Sequence, residues 1–306
     1  MIVCAGEALI DMLPRRTAAG EDAFAPYVGG AVFNTARALA RLGTRTSFVC
    51  GVSTDFFGEM LIDALKAADV ETELTIRSDR PTTLAFVRLI DGQASYVFYD
   101  ENSALRMIEP EDMPALPEAT KALVFGCISL IGEPGALANE ALMPQAAPDP
   151  VIMIAPNIRA GFITEEASYR ARITRMIGMS DIIKLSDEDL AWLSPGADLE
   201  AHAKELIAGG ASLVCITEGS RGARGITRNH NVFVPAEKVD VIDTVGAGDT
   251  FNAGVLAALD RADLLTKPQI AALSETQLTD ALTLGVKSAA VTVSRAGANP
   301  PWTNEV

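Results

Sequence analysis

The fold is decided by residues 243–254, "DTVGAGDTFNAG", which precede the apolar, helix-like "VLAALDR". Three glycines and two alanines surround Asp249 close to the start of this helix. The first N–H groups of a helix lack intrahelical acceptors and the dipole is positive there, so helix starts favour anions. Small residues also let the amides of Ala247, Gly248 and Asp249 approach a ligand closely. The stretch therefore predicts an anion site with a carboxylate beside it.

Asp249 is predicted to act on an alcohol. A phosphoryl group in transfer carries its charge on equatorial oxygens, which backbone amides can stabilise. A carboxylate beside such amides can take the proton from an attacking hydroxyl. The alternative is that Asp249 only caps the helix, but a cap needs no flanking glycines. The pattern favours a catalytic base.

The bulk composition excludes several classes of protein. Of the 306 residues, 49% are hydrophobic and 21% charged, as in a globular chain with a sizeable core. A net charge of −15 leaves no basic face for nucleic acid or an anionic membrane surface. No segment is apolar enough to span a bilayer, and the N-terminus lacks the basic start of a signal peptide. We expect a cytoplasmic protein with reduced thiols, because no C-x-x-C joins Cys4, Cys50, Cys127 and Cys215.

Apolar strands alternate with helical patterns along most of the chain. "PVIMIAPN" and "DIIKLS" are typical of buried strands, and "EASYRARITRMIGM" is typical of a helix. Residues 239–244, "VDVIDT", are predicted as a strand, "VGAG" as the turn, and "TFNAGVLAALDR" as the next helix. This alternation predicts an α/β fold in one domain, residues 1–306, with a mostly parallel sheet covered on both faces.

Two regions break the alternation and predict a small antiparallel lid. "TELTIRSD" and "TTLAFVRLIDGQASYVFYD" carry alternating β-formers, with Asp91-Gly92 as a hairpin turn, and residues 12–28 can add another ribbon. We expect this predicted lid to comprise residues 12–28 and 72–100. Its apolar faces also predict pairing between two copies, hence a homodimer, through Leu84, Phe86, Val97 and Tyr99.

The N-terminal third carries two further motifs. "GGAVFNTARALARLG" at residues 29–43 places Gly29 and Gly30 before a helix, with Asn34 in its first turn. The motif can have a purely structural role, as a glycine turn followed by a core helix, but asparagine is a poor helix-interior residue. Its amide donates and accepts at once, which suits the paired hydroxyls of a sugar. Asp11 follows the first strand, where α/β sheets place ligand groups.

Other nucleotide and metal motifs are excluded. The chain has no Walker A loop, and Phe251 stands where a dinucleotide fingerprint needs its third glycine. The two histidines, His202 and His230, do not have the spacing of zinc ligands.

In this order the motifs resemble the ribokinase family of carbohydrate kinases, also called the phosphofructokinase-B family, over essentially the whole chain. The resemblance implies a ribokinase-like three-layer α/β/α core with a lid over the sugar. It implies that Asp249 is the catalytic base and that Gly246, Ala247 and Gly248 form the anion hole. The implied sugar ligands are Asp11, Gly29, Gly30, Asn34, Asn157 and Arg159. The implied nucleotide ligands are Lys184, Ser186, Thr217, Gly219, Ser220, Gly222 and Gly248, with residues 286–290 near adenine.

Among members of that family, "PNIRAGFI", "YRARITRM" and "KLSDEDLAWL" look most like bacterial fructokinases. Two departures stand out. Ala155 replaces the first aspartate of a D-x-N-x-R pattern, and "SDED" replaces N-x-x-E, with Ser186 and Asp189 at its ends. The resemblance implies Mg²⁺ near Asp189, reached through water, and a monovalent cation such as K⁺ near Asp243.

The implied activity is ATP-dependent phosphorylation of a primary hydroxyl of a small neutral sugar. A phosphosugar would need clustered Arg or Lys, whereas the predicted lid ends in acidic Asp100 and Glu101. Fructose is the first choice, ahead of ribose or adenosine. The alternative is 2-keto-3-deoxygluconate, whose carboxylate can use Arg88, Arg106 or Arg159. A hypothesis of another class is a non-catalytic sugar-sensing protein, against which the intact Asp249 motif argues.

Overall fold

The computed structural model describes residues 1–90, 93–145 and 149–306. In chain order the strands are β1 Ile2–Ala5, β2 Leu9–Arg16, β3 Asp22–Gly29, β4 Thr46–Val49, β5 Gly51–Ser53, β6 Ile76–Ser78, β7 Leu84–Ile90, β8 Gln93–Tyr99, β9 Ala122–Gly126, β10 Val151–Ala155, β11 Ile182–Ser186, β12 Leu213–Thr217, β13 Gly222–Ile226 and β14 Asn231–Pro235. The helices are α1 Ala31–Arg41, α2 Phe56–Lys66, α3 Gly135–Gln145, α4 Glu166–Gly178, α5 Asp187–Leu193, α6 Leu199–Ala208, α7 Ala247–Arg261, α8 Lys267–Ala271 and α9 Glu275–Val293. Within the described ranges, every helix is too short or too polar to cross a membrane.

The central sheet has eight strands in the order β14-β13-β12-β11-β10-β9-β1-β4. The strands from β12 to β4 are parallel, and β13 and β14 add an antiparallel edge. The inner strands β1, β9 and β10 are buried along their whole length, as a sheet covered on both faces requires. The prediction of a mostly parallel α/β sheet is confirmed.

Helices cover both faces of this sheet. Along β1, Ile2 and Cys4 belong to one hydrophobic cluster, whereas Val3 and Ala5 belong to another. Successive side chains of a strand point to opposite faces, so one strand feeds both cores. The first cluster contains residues of α1, α2, α7 and α9, and the second contains residues of α3 to α6. The predicted three-layer α/β/α core follows from this division.

A second sheet is separate from the central sheet. Its order is β3-β2-β7-β8, and we call these four strands the flap sheet. β2–β3 and β7–β8 are antiparallel hairpins, and the two hairpins join through the parallel pair β2–β7. Within the predicted range 72–100, β6 pairs instead with β5 in a two-stranded sheet. The turn predicted at Asp91-Gly92 lies outside the described residues.

The strand predicted at residues 239–244 is wrong, because this segment is a loop in the structure. The amides of Ile242 and Asp243 donate to the carbonyl of Val293, at the end of α9 (2.8 and 3.2 Å). The side chains of Val241 and Ile242 are 62% and 66% exposed. The segment is therefore held by a helix end rather than by a neighbouring strand, and its alternating β-formers do not determine its conformation.

Candidate active site

The candidate site lies at the carboxyl edge of the parallel strands, where open α/β sheets bind ligands. A cavity of about 590 Å³ opens there. It is bordered by residues that end or directly follow strands β10, β11 and β12, and by the starts of α1 and α7. Most of the predicted site residues line this cavity: Asp11, Gly30, Asn34, Asn157, Arg159, Lys184, Ser186, Asp189, Thr217, Gly246, Ala247, Gly248 and Asp249.

The remaining predicted residues lie outside the described lining of the cavity. Gly29 packs directly against the carboxylate of Asp11. Gly219, Ser220 and Gly222 form the turn after β12, next to Thr217.

The start of α7 depends on Gly246. This residue is the N-cap, has a left-handed backbone (φ 82°), and makes no side-chain cap bond. A Cβ at Gly246 would lie 2.8 Å from the Cβ of Ala298, so a larger residue fits neither the angle nor the space. Within the turn, the amide of Ala247 donates to the carbonyl of Thr244 (3.3 Å). The helix therefore begins at the cavity with amides that no side chain of the N-cap covers.

Asp249 is held by α1. Its Oδ2 accepts a hydrogen bond from Asn34 Nδ2 (3.0 Å), and its backbone carbonyl accepts one from Thr35 Oγ1 (3.2 Å). The side chain is 8% exposed. Burial raises the pKa of Asp249 to about 6, although Asn34 and the nearby cations Lys184 and Arg159 lower it in part. A carboxylate with such a pKa is ionised at neutral pH and well matched to general-base work.

Asn34 is only 5% exposed, and its Oδ1 has no hydrogen-bond partner among the described residues. Such an acceptor is costly unless a ligand or water satisfies it. Gly30 precedes α1 with φ 114°, and a Cβ there would lie 2.6 Å from the carbonyl oxygen of Glu7. Glycine therefore fits this position, and a residue with a side chain does not. Asp11 faces the same cavity, and burial raises its pKa to about 6.

Lys184 brings a buried positive charge to the start of α7. Its Nζ lies 3.3 Å from the position that a Cβ at Gly248 would occupy. Burial lowers the pKa of Lys184, and the carboxylates of Asp189 and Asp249 oppose that shift. An ammonium group and the positive end of a helix dipole therefore face the same space, which an anion would suit.

The two predicted metal ligands bind backbone amides in the structure. Asp189 accepts from Ser186 N (2.9 Å) and from Ile158 N (2.7 Å), so it caps α5 and holds the loop after β10. Asp243 accepts from Val245 N (3.0 Å) and Gly297 N (2.9 Å), which braces the loop before α7. Among the described residues no group of three His, Cys, Asp or Glu could hold a metal ion. A role of either carboxylate in cation binding stays a prediction.

Sequence reasoning missed several residues that line the cavity. The most informative is Cys127, which has φ 56° and directly follows β9; beside it, Asn157 has φ 42° and directs Nδ2 at Cys127 Sγ (3.5 Å). Non-glycine residues in the left-handed region cluster at functional sites. Asparagine is one of the non-glycine residues enriched in this region, so Asn157 carries a weak local signal for the conformation, whereas Cys127 carries none. Sequence reasoning also missed the following residues that line the cavity: Glu7, Leu9, Phe98, Ile128, Trp192, Thr244 and Val245.

Comparison with known proteins agrees with this geometry. The model of the pfkB family carbohydrate kinases matches residues 1–305. A fructokinase of Rhizobium leguminosarum bv. trifolii is 52% identical over 278 residues, which cover 91% of this chain and 85% of that protein. The crystal structure of fructokinase with bound ATP from Xylella fastidiosa has a TM-score of 0.86 at 29% identity, covering 97% of this chain and 93% of that one. A fructokinase structure from Vibrio cholerae O395, in fructose, ADP and calcium ion bound form, has a TM-score of 0.84 at 26% identity, covering 97% and 94%.

Fold and site together define a carbohydrate kinase, an enzyme rather than a sensor. The chain belongs to the pfkB family of carbohydrate kinases. The predicted family and its three-layer fold are confirmed.

Proposed function

We propose that this protein is a fructokinase that transfers the γ-phosphoryl group of ATP to the primary 6-hydroxyl of D-fructose. The similarity to fructokinases supports the choice of sugar. The observation that carries the chemistry is the buried Asp249 carboxylate at the start of α7, held by Asn34 and faced by Lys184. One cavity thus contains a base, an anion site and Asn34 Oδ1, an acceptor without a partner among the described residues that a sugar hydroxyl can satisfy.

Asp249 acts as the general base. It takes the proton of the primary hydroxyl as the new O–P bond forms and the bond to the leaving nucleotide oxygen breaks. Asn34 Nδ2 holds Oδ2 and so fixes the orientation of the carboxylate. Asn34 Oδ1, which has no partner among the described residues, accepts a hydrogen bond from a sugar hydroxyl, and Asp11, which lines the same cavity, accepts another.

The start of α7 and Lys184 stabilise the charge of the transferring group. The residues present fit a polyphosphate, because an ammonium group and a helix start face the same space at Gly248. Ser186 and Thr217, which end neighbouring strands, border the same cavity. The turn with Gly219, Ser220 and Gly222 extends the nucleotide site beyond them.

Cations assist at two places in this proposal. Mg²⁺ would neutralise phosphate charge when bound. Both oxygens of Asp189 already accept backbone amides, so it meets the ion through water. Asp243 braces the loop that carries Gly246, which is where a monovalent cation such as K⁺ would act. Related fructokinase structures from Vibrio cholerae O395 are in calcium and potassium ion bound forms.

The flap sheet covers the sugar site and joins two copies. Its inner face contributes Asp11 and Phe98 to the cavity. Its outer face is apolar, with Val97 and Tyr99 54% and 63% exposed and Phe86 in edge-on contact with Tyr99. Two highly acidic chains associate best through such an uncharged face. Analytical ultracentrifugation tests this: V97D/Y99D should sediment as a monomer and the wild type as a dimer, and identical sedimentation would contradict it.

The substrate is tested by measuring ADP release with fructose, 2-keto-3-deoxygluconate, ribose and nucleosides, with and without K⁺. We expect the highest kcat/KM with fructose. Of the arginines predicted for the ketodeoxygluconate alternative, Arg159 lines the cavity and Arg106 lies outside its described lining. The side chain of Arg88 lies outside the described residues. A higher kcat/KM with ketodeoxygluconate, lost in R159A, would replace fructose by that acid.

A further inference from the structure

Glu7 is a buried carboxylate of the cavity wall to which the proposed chemistry gives no role. It is 0% exposed and lies between β1 and β2. Its Oε1 accepts hydrogen bonds from Ala31 N (2.5 Å) and Val32 N (3.2 Å), the first amides of α1. Its Oε2 accepts from Ser129 N (3.4 Å), in the turn Cys127–Leu130. One side chain therefore joins two elements that border the site.

Glu7 supplies the cap that α1 does not have in its own sequence. The N-cap of α1 is Gly30, which has no side chain to accept a hydrogen bond. A helix start without a cap leaves amides unsatisfied, and burial makes that costly. Here the missing acceptor comes from 24 residues upstream. The backbone carbonyl of Glu7 also accepts from Phe33 N (3.3 Å), so main chain and side chain hold the same helix turn.

The helix that Glu7 holds is the one that holds Asp249. Asn34 and Thr35, within one turn of Ala31, make the two hydrogen bonds that fix the side chain and backbone of Asp249. We infer that Glu7 is a positioning residue for phosphoryl transfer: its carboxylate sets the start of α1, and α1 sets Asp249 through Asn34. This inference rests on the proposed role of Asp249 as the base.

The hydrogen-bond partners of Glu7 agree with this role. Burial raises its pKa to about 7, the backbone amides lower it in part, and Asp249 raises it further. Its three side-chain partners are all backbone N–H donors, which bond the ionised form best. The titratable groups around it are Asp249 on α7, Cys127 in the adjoining turn and Cys50 after β4.

The test is a double-mutant cycle on kcat with E7Q, N34A and E7Q/N34A in the full chain. Glutamine keeps the size of Glu7, but only one of its two terminal atoms can accept a hydrogen bond. The bonds to α1 and the bond to Ser129 can then no longer all form, so the link between the two elements loosens while the core stays filled. We expect E7Q to lower kcat about 10–100-fold, because a displacement of about 1 Å near the reacting groups can cost about 100-fold. KM for ATP should stay within about threefold, and the cycle should be non-additive.

Asp198 offers a matched control. It caps α6 by accepting from Ala201 N (2.9 Å) and lies outside the described lining of the cavity. D198A removes this helix-capping side chain, which costs about 1 kcal/mol at an N-cap, so its melting temperature should fall while kcat stays at the wild-type value. A general loss of stability would lower both variants alike, whereas positioning separates them.

A kcat of E7Q within threefold of wild type, or additive effects of E7Q and N34A, overturns the inference. If E7Q does not fold, E7D replaces it, because its carboxylate is one methylene too short to reach α1. E7D with wild-type kcat overturns the inference equally, and E7D with the expected loss supports it. Failure of the proposed function has another signature: D249N would stay active, or the wild type would release no ADP with any sugar.

Discussion

Two helices that form the site, α1 and α7, begin differently from three helices outside the described lining of the cavity, α2, α6 and α9. α1 and α7 follow glycines with positive φ, Gly30 and Gly246, and neither start has a side-chain cap from its N-cap residue. By contrast, α2, α6 and α9 begin at Asp55, Asp198 and Ser274, whose side chains each accept the backbone amide three residues on. A capped start is satisfied within its own turn, whereas an open start remains available to other groups.

The difference teaches how one fold separates stability from function. At α1 the open start is occupied from inside the protein, by Glu7. At α7 the open start faces the cavity, beside Lys184. In the proposal, α1 therefore positions the base and α7 receives the transferring group. Changes at the starts of α1 and α7 should reduce catalysis, and changes at the capped starts of α2, α6 and α9 should reduce stability.

The largest expected effect on kcat is at Asp249, the carboxylate in the first turn of α7. Asp249→Asn removes the base and keeps the side-chain size, so kcat should fall about 10²–10⁴-fold. Thermal stability should stay the same or rise, because a buried carboxylate with a raised pKa is destabilising in its ionised form. ADP-release rates and a thermal melt measure both. A variant within tenfold of wild-type kcat would rule out the base assignment.

The next largest effect is expected at Gly246, the glycine at the start of α7. Gly246→Ala places a side chain at φ 82° and 2.8 Å from Ala298, so the start of α7 must shift. We expect kcat/KM to fall about 10–100-fold, because displaced amides no longer meet the transferring charge. Gly196→Ala is the matched control: its φ is 79°, and a Cβ there has no described neighbour within 4 Å. It should cost about 1 kcal/mol of strain and leave kcat/KM unchanged. Equal losses in both variants would contradict the comparison.

The pH dependence of activity and that of stability should oppose each other at Asp249. Its folded-state pKa of about 6 exceeds the ordinary aspartate value of 3.8, so the folded protein binds this proton more tightly than the unfolded chain does. Its contribution therefore makes stability fall as pH rises from about 4 to 6. Over the same range kcat should rise, about tenfold per pH unit below 6, as the base ionises. Denaturant melts of wild type and D249N at pH 4.5 and 7 test the sign: a steeper decline in D249N would refute it.

The smallest effect is expected at a capped start. Ser274→Ala removes the acceptor for the amide of Gln277 at α9 (3.3 Å). Loss of such a cap costs about 1 kcal/mol, which lowers the melting temperature by about 2–4 °C in a chain of this size. Because Ser274 and Gln277 lie outside the described lining of the cavity, kcat should not change. A clear loss of kcat in S274A would show that capped and open starts are not separable.

Much of the fold follows from local pattern. Continuous apolar runs such as "IVCA" and "VIMIA" have no polar face to turn to solvent, so they predict strands of a parallel sheet that is covered on both faces. The structure has β1 and β10 at these two runs, and both strands are buried. The failure at residues 239–244 has the opposite cause. Its β-formers are locally strand-like, but the end of α9 takes its amides and leaves it exposed. The pairing of β2 with β7 could not be predicted from local pattern either, because it joins two hairpins that are far apart in the chain.

The candidate site divides in the same way. Gly30, Gly246 and Asp249 could be predicted from the sequence by itself, because small residues and a carboxylate at a helix start have a local physical meaning. Only the tertiary structure decided that Asn34 meets Asp249 across 215 residues and that Glu7 caps a helix it does not precede directly. A local motif specifies its own backbone, whereas a hydrogen bond between distant segments exists only once packing has removed water and fixed both partners.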